Sequence, residues 1–127
     1  MITLMNVQKV IKELQKKYPG KKIIKNTEEN TIEIICEIEP TKDHLNYSVA
    51  IAIIDSTISH YHQKTTEEYR VTKGILTVYK GNKSFVMHEG ESIVIEPNIV
   101  HYAEGHETWI IITSRPGWTK EDYIFFT

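Results

Sequence analysis

The chain has 127 residues, of which 40% are hydrophobic and 25% are charged, and its formal net charge is −2. These are ordinary values for a globular protein of one domain, and they exclude disordered, collagen-like and coiled-coil chains. The balanced charge, with Arg70 and Arg115 as the two arginines, predicts no nucleic-acid partner and no anionic membrane surface as a partner.

Cysteine usage and hydropathy predict a cytoplasmic protein. Cys36 is the single cysteine, so no disulfide can form within the chain, and its apolar neighbours favour a buried, inert thiol. The start of the sequence lacks the apolar core of a secretory signal, and no apolar stretch approaches the length of a membrane span.

The first predicted element is an amphipathic helix within residues 1–20. Its apolar residues recur at steps of three and four positions, namely Leu4, Val7, Ile11, Leu14 and Tyr18. Thr3 or Asn6 can cap its start, and the pair 19–20, Pro followed by Gly, ends it. We expect the apolar stripe to pack on the rest of the domain or on a second subunit.

The remaining residues, 21–127, are predicted to form short strands and turns. The apolar and alternating segments are 31–39, 47–54, 57–62, 67–72, 75–80, 83–87, 92–95, 100–103 and 108–113. Gly81 and Asn82 indicate a tight hairpin, and residues 26–30 and 39–45 are predicted loops. This pattern is typical of a β-sandwich or barrel. Open sheet edges in such a fold need to be covered, so we expect a homodimer in which the helix stripe or residues 31–38 cover them.

Two histidines stand one residue apart at the end of a predicted strand. Side chains alternate along a strand, so His60 and His62 share a face about 6–7 Å apart. An isolated pair of this kind is more often exposed at a strand end than bound to an ion. A metal site needs at least one further ligand from elsewhere in the chain.

Further polar residues follow the pair at regular spacings. Four residues separate His62 from Glu67, and six residues separate Glu67 from Gly74. If Glu67 points inward, Tyr69 does so too, because it lies two positions further along the same strand. His101 lies beyond a strand that begins after Gly90.

The segment from His60 to Gly74 resembles the first motif of the cupin superfamily. That motif is His-x-His, three or four residues, Glu, six residues and Gly, and its spacing selects Glu67 over Glu68. The leading Gly of the motif is absent, because Ile54 stands in its place.

The second cupin motif is matched more loosely. Gly90 and His101 keep its register, whereas Glu96 replaces a Pro, Asn98 replaces a Gly and Gly105 replaces an Asn. Asn is a tolerable substitute for Gly because it adopts left-handed backbone angles more readily than most residues. These departures fall at turn positions, and the histidine of the motif, His101, keeps its expected spacing from Gly90.

The resemblance implies an all-β fold, the cupin jelly-roll barrel, with a short N-terminal helix. One domain would then span residues 1–127, with the helix in 1–20 and the barrel in 21–127. The resemblance also implies a metal site formed by His60, His62, Glu67 and His101. Imidazoles with one carboxylate suit Fe, Mn, Ni, Co or Zn as the divalent ion. Glu67 and Tyr69 are the candidate catalytic residues.

The implied function is a metal-dependent enzyme acting on a small organic molecule. We place a dioxygenase-like activity first, and the alternatives are a sugar isomerase or epimerase and a non-catalytic cupin that binds a metal or small ligand. The scarcity of arginine disfavours phosphorylated sugars. The positive charge that a divalent ion keeps after binding Glu67 favours an anionic or chelating substrate.

Overall fold

The computed structural model describes residues 4–126, and it confirms the all-β jelly roll with one N-terminal helix. Helix α1 spans Val7–Lys17, and the Asn6 side chain caps it by accepting a hydrogen bond from the Lys9 N–H at 3.1 Å. The alternative cap, Thr3, lies outside the described residues. The helix ends at Tyr18, immediately before Pro19 and Gly20, as predicted. No helix within residues 4–126 is long and apolar enough to cross a membrane.

Ten strands follow within the described part of the chain. They are β1 (Ile23–Asn26), β2 (Ile32–Glu39), β3 (Ser48–Ser56), β4 (His60–Tyr61), β5 (Thr66–Lys73), β6 (Leu76–Lys80), β7 (Lys83–Met87), β8 (Ser92–Ile95), β9 (His101–Arg115) and β10 (Ile124–Phe125).

Most predicted strands are confirmed, and three differences stand out. Strand β1 was not predicted, and it takes up the first residue of the predicted loop 26–30. The predicted strand 57–62 shortens to β4, two residues long. The predicted strands 100–103 and 108–113 are joined in the single long strand β9, which continues through the small residue Gly105.

Strand β9 connects the two halves of the fold. Its first residues pair with β6 and β4, and its last residues pair with β3 and β5. The pairing shifts register between Ile54 and Ser56 of β3, where the partners on β9 jump from Thr108 to Glu104. This irregularity marks the corner at which the sheet turns to enclose an interior.

Helix α1 packs on the outside of the sheet in its own chain. Val10 and Leu14 of the helix are buried against Ile34 and Cys36 of β2 and against Trp109. Since β2 pairs with β1 on one side and β3 on the other, residues 31–38 are not a free edge. The expectation that the helix stripe packs on the rest of the domain is therefore confirmed. The homodimer stays a prediction.

The interior of the barrel has an apolar part and a hollow part. Small and branched side chains fill the apolar part, among them Ile54, Val71, Leu76, Val78 and Ile110. The hollow part is a cavity that opens to solvent, and His60, Glu67 and Tyr69 are among its lining residues. The cavity is where the fold leaves room for a ligand.

Candidate metal centre

Four side chains named by the two motifs meet in the barrel interior. One ligand atom from each of His60, His62, Glu67 and His101 lies within 4.8 Å of the others. All four residues are buried, with exposed fractions of 4% or less. Buried imidazoles and a buried carboxylate are rare unless they are paired or bind a metal.

Strand pairing explains how residues 41 positions apart in sequence come together. His60 in β4 lies directly opposite His101 at the start of β9. His62 follows β4, and Glu67 enters from β5, whose buried residues alternate with exposed ones. Because this alternation places Glu67 inside, it also places Tyr69 and Val71 inside, as predicted.

Backbone carbonyl groups hold all three imidazole rings in one orientation. The Nδ1 of His60 bonds to the Ile58 oxygen at 2.7 Å, that of His62 to the Asp122 oxygen at 2.7 Å, and that of His101 to the Ile99 oxygen at 2.9 Å. A carbonyl oxygen only accepts hydrogen bonds, so each Nδ1 must donate. In each neutral imidazole the lone pair is therefore on Nε2, the atom available to a metal.

The Glu67 carboxylate lies among these Nε2 atoms. Its Oε1 is 3.2 Å from the Nε2 of His62 and 3.2 Å from the Nε2 of His101. The Nε2 of His62 is buried without a well-oriented hydrogen-bond partner among the described residues. Lone pairs that face a carboxylate repel it, unless a proton or a metal cation lies between them. The donor set thus fits a divalent transition metal held by all four side chains.

The charges of the cluster follow from its burial and its contacts. Burial lowers the pKa of His60 to about 3, so this ring is neutral. Burial raises the pKa of Glu67, but the close contacts with His101 and His62 outweigh this effect and hold that pKa well below its usual range. Burial also opposes protonation of His62, yet contact with Glu67 raises the pKa of this ring. The centre is therefore an ionised carboxylate surrounded by imidazoles.

Tyr69 lies beside the centre and faces the cavity. Its hydroxyl donates a hydrogen bond to Glu67 Oε1 at 3.3 Å, and the residue is buried. Burial raises the pKa of Tyr69 well above its usual value, so the phenol keeps its proton. The side chain can therefore donate a hydrogen bond to the carboxylate or to a ligand.

Glu33 is a cavity residue that the sequence reasoning missed. It lies on the inner face of β2 with an exposed fraction of 6%, and Asn26 Nδ2 donates to its Oε1 at 3.2 Å. Burial raises the pKa of Glu33 to about 7. The sequence contained one signal, the phase of Glu33 in the strand: because side chains alternate, Glu33 shares a face with Ile35 and points away from the face of Ile34. This phase alone does not place Glu33 in a cavity, because nothing in the sequence shows that α1 covers the opposite face of β2.

The C-terminal segment also contributes residues that the sequence reasoning did not assign to the site. The Tyr123 ring stacks on His60, with ring centroids 4.5 Å apart. The carbonyl of Asp122 holds His62, and its carboxylate accepts the N–H groups of Gln63, Lys64 and Thr65 at 2.8, 3.1 and 3.1 Å. These contacts tie the end of the chain to the loop that follows the histidine pair.

The other histidines and Glu96 do not belong to this group of four. His88 and His106 are exposed, and the His44 ring stacks on Tyr47 in the 39–45 loop region. Glu96 is exposed and forms an ion pair with Lys80 at 2.7 Å. Of the two tryptophans, Trp109 packs beneath α1 and Trp118 lines the cavity.

The departure from the second motif at Asn98 is accommodated by the backbone. Asn98 has a φ of 67°, in the left-handed region that the motif normally fills with glycine. Its N–H donates to the carbonyl of His62 at 2.6 Å. The turn of the second motif is therefore bonded to the histidine pair of the first.

Comparison with known proteins identifies a family for this part of the chain. The sequence model of the cupin domain family matches residues 50–112, a range that contains all four candidate ligands. No curated protein sequence matches the chain.

Solved structures with the same fold include three of interest. Pac13 from Streptomyces, described as a nucleoside dehydratase and solved with uridine, is 11% identical, with 87% of this chain and 88% of that chain covered and a TM-score of 0.75. A cupin-like protein from Thermotoga maritima is 18% identical, with 72% and 74% covered and a TM-score of 0.61. Fe(II)-HppE with an alternative substrate is 14% identical, with 77% and 57% covered and a TM-score of 0.66. At these identities the similarities establish the fold alone.

Proposed function

Because the chain belongs to the cupin superfamily, we propose that it is a metal-dependent enzyme acting on a small organic molecule in the barrel cavity. One observation carries the proposal: three imidazole Nε2 atoms and one carboxylate converge in a buried group, and His60 and Glu67 of that group line the cavity. Three backbone carbonyls orient the rings for this arrangement. A fold that needed the interior only for stability would be better served by apolar side chains.

His60, His62, Glu67 and His101 would hold a divalent Fe, Mn, Ni, Co or Zn ion. When bound, such an ion supplies either a Lewis acid that polarises a substrate oxygen or a redox centre for reaction with O2. Glu67 adds negative charge to the donor set and receives the Tyr69 hydrogen bond, which orients the carboxylate. Tyr69 and Glu33 face the same cavity, where Tyr69 can donate a hydrogen bond and Glu33 can exchange a proton with a bound molecule.

The first activity that we propose is dioxygenase-like. A donor set of imidazoles and one carboxylate suits Fe(II), and one protein of the same fold has been solved as an Fe(II) enzyme with a substrate. In this reaction class the cavity would position an enolic or phenolic molecule beside the centre and exclude bulk water from it.

The second candidate activity is an isomerisation or epimerisation that moves a proton. The observation that favours it is Glu33, a buried carboxyl group in the cavity whose pKa of about 7 suits both giving and accepting a proton near neutral pH. Tyr69 offers a second proton-bearing group beside the centre. Pac13, which shares the fold, is described as a dehydratase, a reaction that also depends on proton transfer.

The metal site can be tested by purifying the protein without chelators and measuring its metal content. We expect about one transition-metal ion per chain in the natural protein and nearly none in a His60→Ala/His101→Ala double variant. A His88→Ala/His106→Ala variant, which changes two exposed histidines, is the matched control. Equal metal content in all three proteins would refute the ligand assignment.

The reaction class can be tested on the metal-loaded protein. Oxygen uptake by the iron-loaded form with a catechol, a diketone or a flavonol would support the dioxygenase. Interconversion of sugars without oxygen uptake would support the isomerase. Tight binding of small molecules with neither reaction would indicate a non-catalytic binding protein.

A further inference from the structure

The cavity beside the metal centre is lined by acidic residues. Glu33, Glu37 and Glu39 line it in addition to the candidate ligand Glu67. No lysine or arginine in the described part of the chain is among its lining residues. Arg115, at the end of β9, is exposed and lies outside this lining.

The three additional carboxyl groups come from one strand. Strand alternation places Glu33 and Glu37 on one face of β2, with Ile34 and Cys36 on the other face against the helix. Glu39 follows after a register irregularity between Glu37 and Glu39, and it also reaches the cavity lining. Their exposure increases along the strand, from buried Glu33 through half-buried Glu37 to exposed Glu39. The carboxyl groups therefore form a row from the interior of the cavity to its mouth, which we call the acidic row.

The acidic row changes the charge that a substrate meets. A divalent ion that binds Glu67 keeps one positive charge, which by itself favours an anion. The carboxylates of Glu37 and Glu39 offset this charge, although Glu39 Oε1 also contacts the Tyr47 hydroxyl at 3.2 Å and the His44 ring at 3.3 Å. No lysine or arginine among the described lining residues is available to pair with a carboxylate or phosphate. An anionic molecule would therefore enter against like charges in a partly enclosed space.

Glu33 provides a hydrogen-bonding group for a neutral molecule. Asn26 binds one of its two oxygens, and among the described residues the other oxygen has no hydrogen-bond partner from the protein. Since burial raises the pKa of Glu33 to about 7, the group is partly protonated at neutral pH. A carboxyl group in this state can both donate to and accept from a substrate hydroxyl.

We infer that the cavity selects uncharged or cationic oxygen-bearing small molecules and discriminates against carboxylates and phosphates, with the acidic row on β2 as the determinant. This inference rests on the proposed metal-dependent function and revises the expectation of an anionic substrate. It applies whether the reaction is an oxygenation or a proton transfer, because the charge of the row acts on binding.

The test uses three probes that share one chelating group and differ in charge. They are 3,4-dihydroxybenzoate, 3,4-dihydroxybenzyl alcohol and 3,4-dihydroxybenzylamine, and the protein is the full chain loaded with Zn(II), which avoids redox reactions. Isothermal titration calorimetry at neutral pH gives the dissociation constants. We expect the alcohol and the amine to bind at least about tenfold more tightly than the benzoate.

Two variants assign this selectivity to the acidic row. In Glu37→Gln/Glu39→Gln, which removes two charges near the mouth, we expect the preference for the alcohol over the benzoate to fall to about threefold or less. Glu89→Gln removes an exposed charge outside the cavity and serves as the control, with the preference unchanged. Metal content of each variant shows that the metal site is intact.

The outcomes separate this inference from the proposed function. Equal affinities for the three probes, or tightest binding of the benzoate, would overturn the inference while leaving the metal-dependent function in place. An unchanged preference in the double variant would overturn the assignment to the acidic row. A chain that binds no metal, or a metal-loaded chain that binds none of the probes, would refute the proposed function itself.

Discussion

Two carboxyl groups buried in the same barrel are held in opposite states. Glu67, in the candidate metal centre, has a pKa well below its usual range, because His101 and His62 outweigh the effect of burial. Glu33, on the wall formed by β2, has a pKa raised to about 7, since a single hydrogen bond from Asn26 does not offset burial. Burial alone neutralises a carboxyl group, and the partners around it decide whether it stays ionised.

The difference assigns different tasks to the two regions. An ionised carboxylate among imidazole lone pairs is suited to hold a cation. A carboxyl group that is half-protonated near neutral pH is suited to hydrogen bonding and proton exchange with a ligand. Changing the partners of each group should therefore change one region without the other.

The largest effect is expected from removing the charge of the metal centre. In Glu67→Ala we expect metal affinity to fall about a thousandfold, because one of four ligands and the only negative charge in the ligand set are lost. Competition with a chelating dye measures the affinity. Glu33→Ala is the matched control and should bind metal as the natural protein does. An equal loss in both variants would show that the two regions do not act separately.

The next effect concerns the dependence of stability on pH. A carboxyl group whose pKa is raised by folding stabilises the folded state while it is protonated. Its contribution is therefore present below about pH 4.5 and lost as pH rises to about 7. In metal-free protein, Glu33→Gln removes this loss. The free energy of unfolding of the variant should therefore rise by about 3 kcal/mol relative to that of the natural protein across that range.

Urea unfolding at pH 4.5, 6 and 8 measures this gain. Glu104→Gln, at an exposed position on β9, controls for general effects of charge. A difference between the natural protein and Glu33→Gln that stays constant with pH would contradict the raised pKa of Glu33.

A smaller effect is expected from Asp122, which positions the candidate ligand His62 but offers no ligand atom itself. Its carboxylate bonds to three N–H groups of the 63–65 loop, and its carbonyl holds the ring of His62. Asp122→Ala should weaken metal binding about tenfold, as is usual when the support of a metal ligand is lost. Asp122→Asn keeps an oxygen acceptor and should restore much of the affinity.

Asp55 offers a matched control for this experiment. Its carboxylate also accepts two backbone N–H groups, those of Met5 and Glu107, but it lies outside the metal centre. Asp55→Ala should lower stability and leave metal affinity unchanged. A similar loss of metal affinity in Asp55→Ala and Asp122→Ala would mean that Asp122 acts only through general stability.

The smallest effect should come from the partner of Glu33. Asn26→Leu removes the hydrogen bond that lowers the pKa of Glu33. The midpoint of the stability loss should then move upward by about one pH unit. NMR titration of a selectively labelled Glu33 carboxyl group measures this midpoint directly. A midpoint that does not move, or that moves downward, would show that Asn26 is not the group that restrains it.

The fold and the candidate ligands could be predicted because they leave local patterns. The spacing from His60 to Gly74 and the position of His101 identify four residues that the structure brings together. The alternation of β5 correctly places Tyr69 beside Glu67. The helix was predictable because its apolar stripe and the Asn6 cap are contained in a short segment.

The residues that the sequence did not reveal depend on contacts between distant parts of the chain. Period-two alternation shows that Glu33 and Glu37 share a face of β2, but it does not show which face is covered. Helix α1 covers the face that bears Ile34, so the acidic face turns toward the cavity. The same applies to Asp122, which lies 60 positions from His62 in the sequence and holds its ring only in the folded chain.

The sequence by itself therefore determined the jelly-roll family, the helix and the identity of the four candidate metal ligands. Only the tertiary structure decided the tautomers of the three histidines, the opposite states of Glu67 and Glu33, and the charge of the cavity. The physical reason is that residue spacing sets which side chains share a face. Hydrogen-bond partners and burial, which set protonation and charge, exist only after the strands and the helix have packed together.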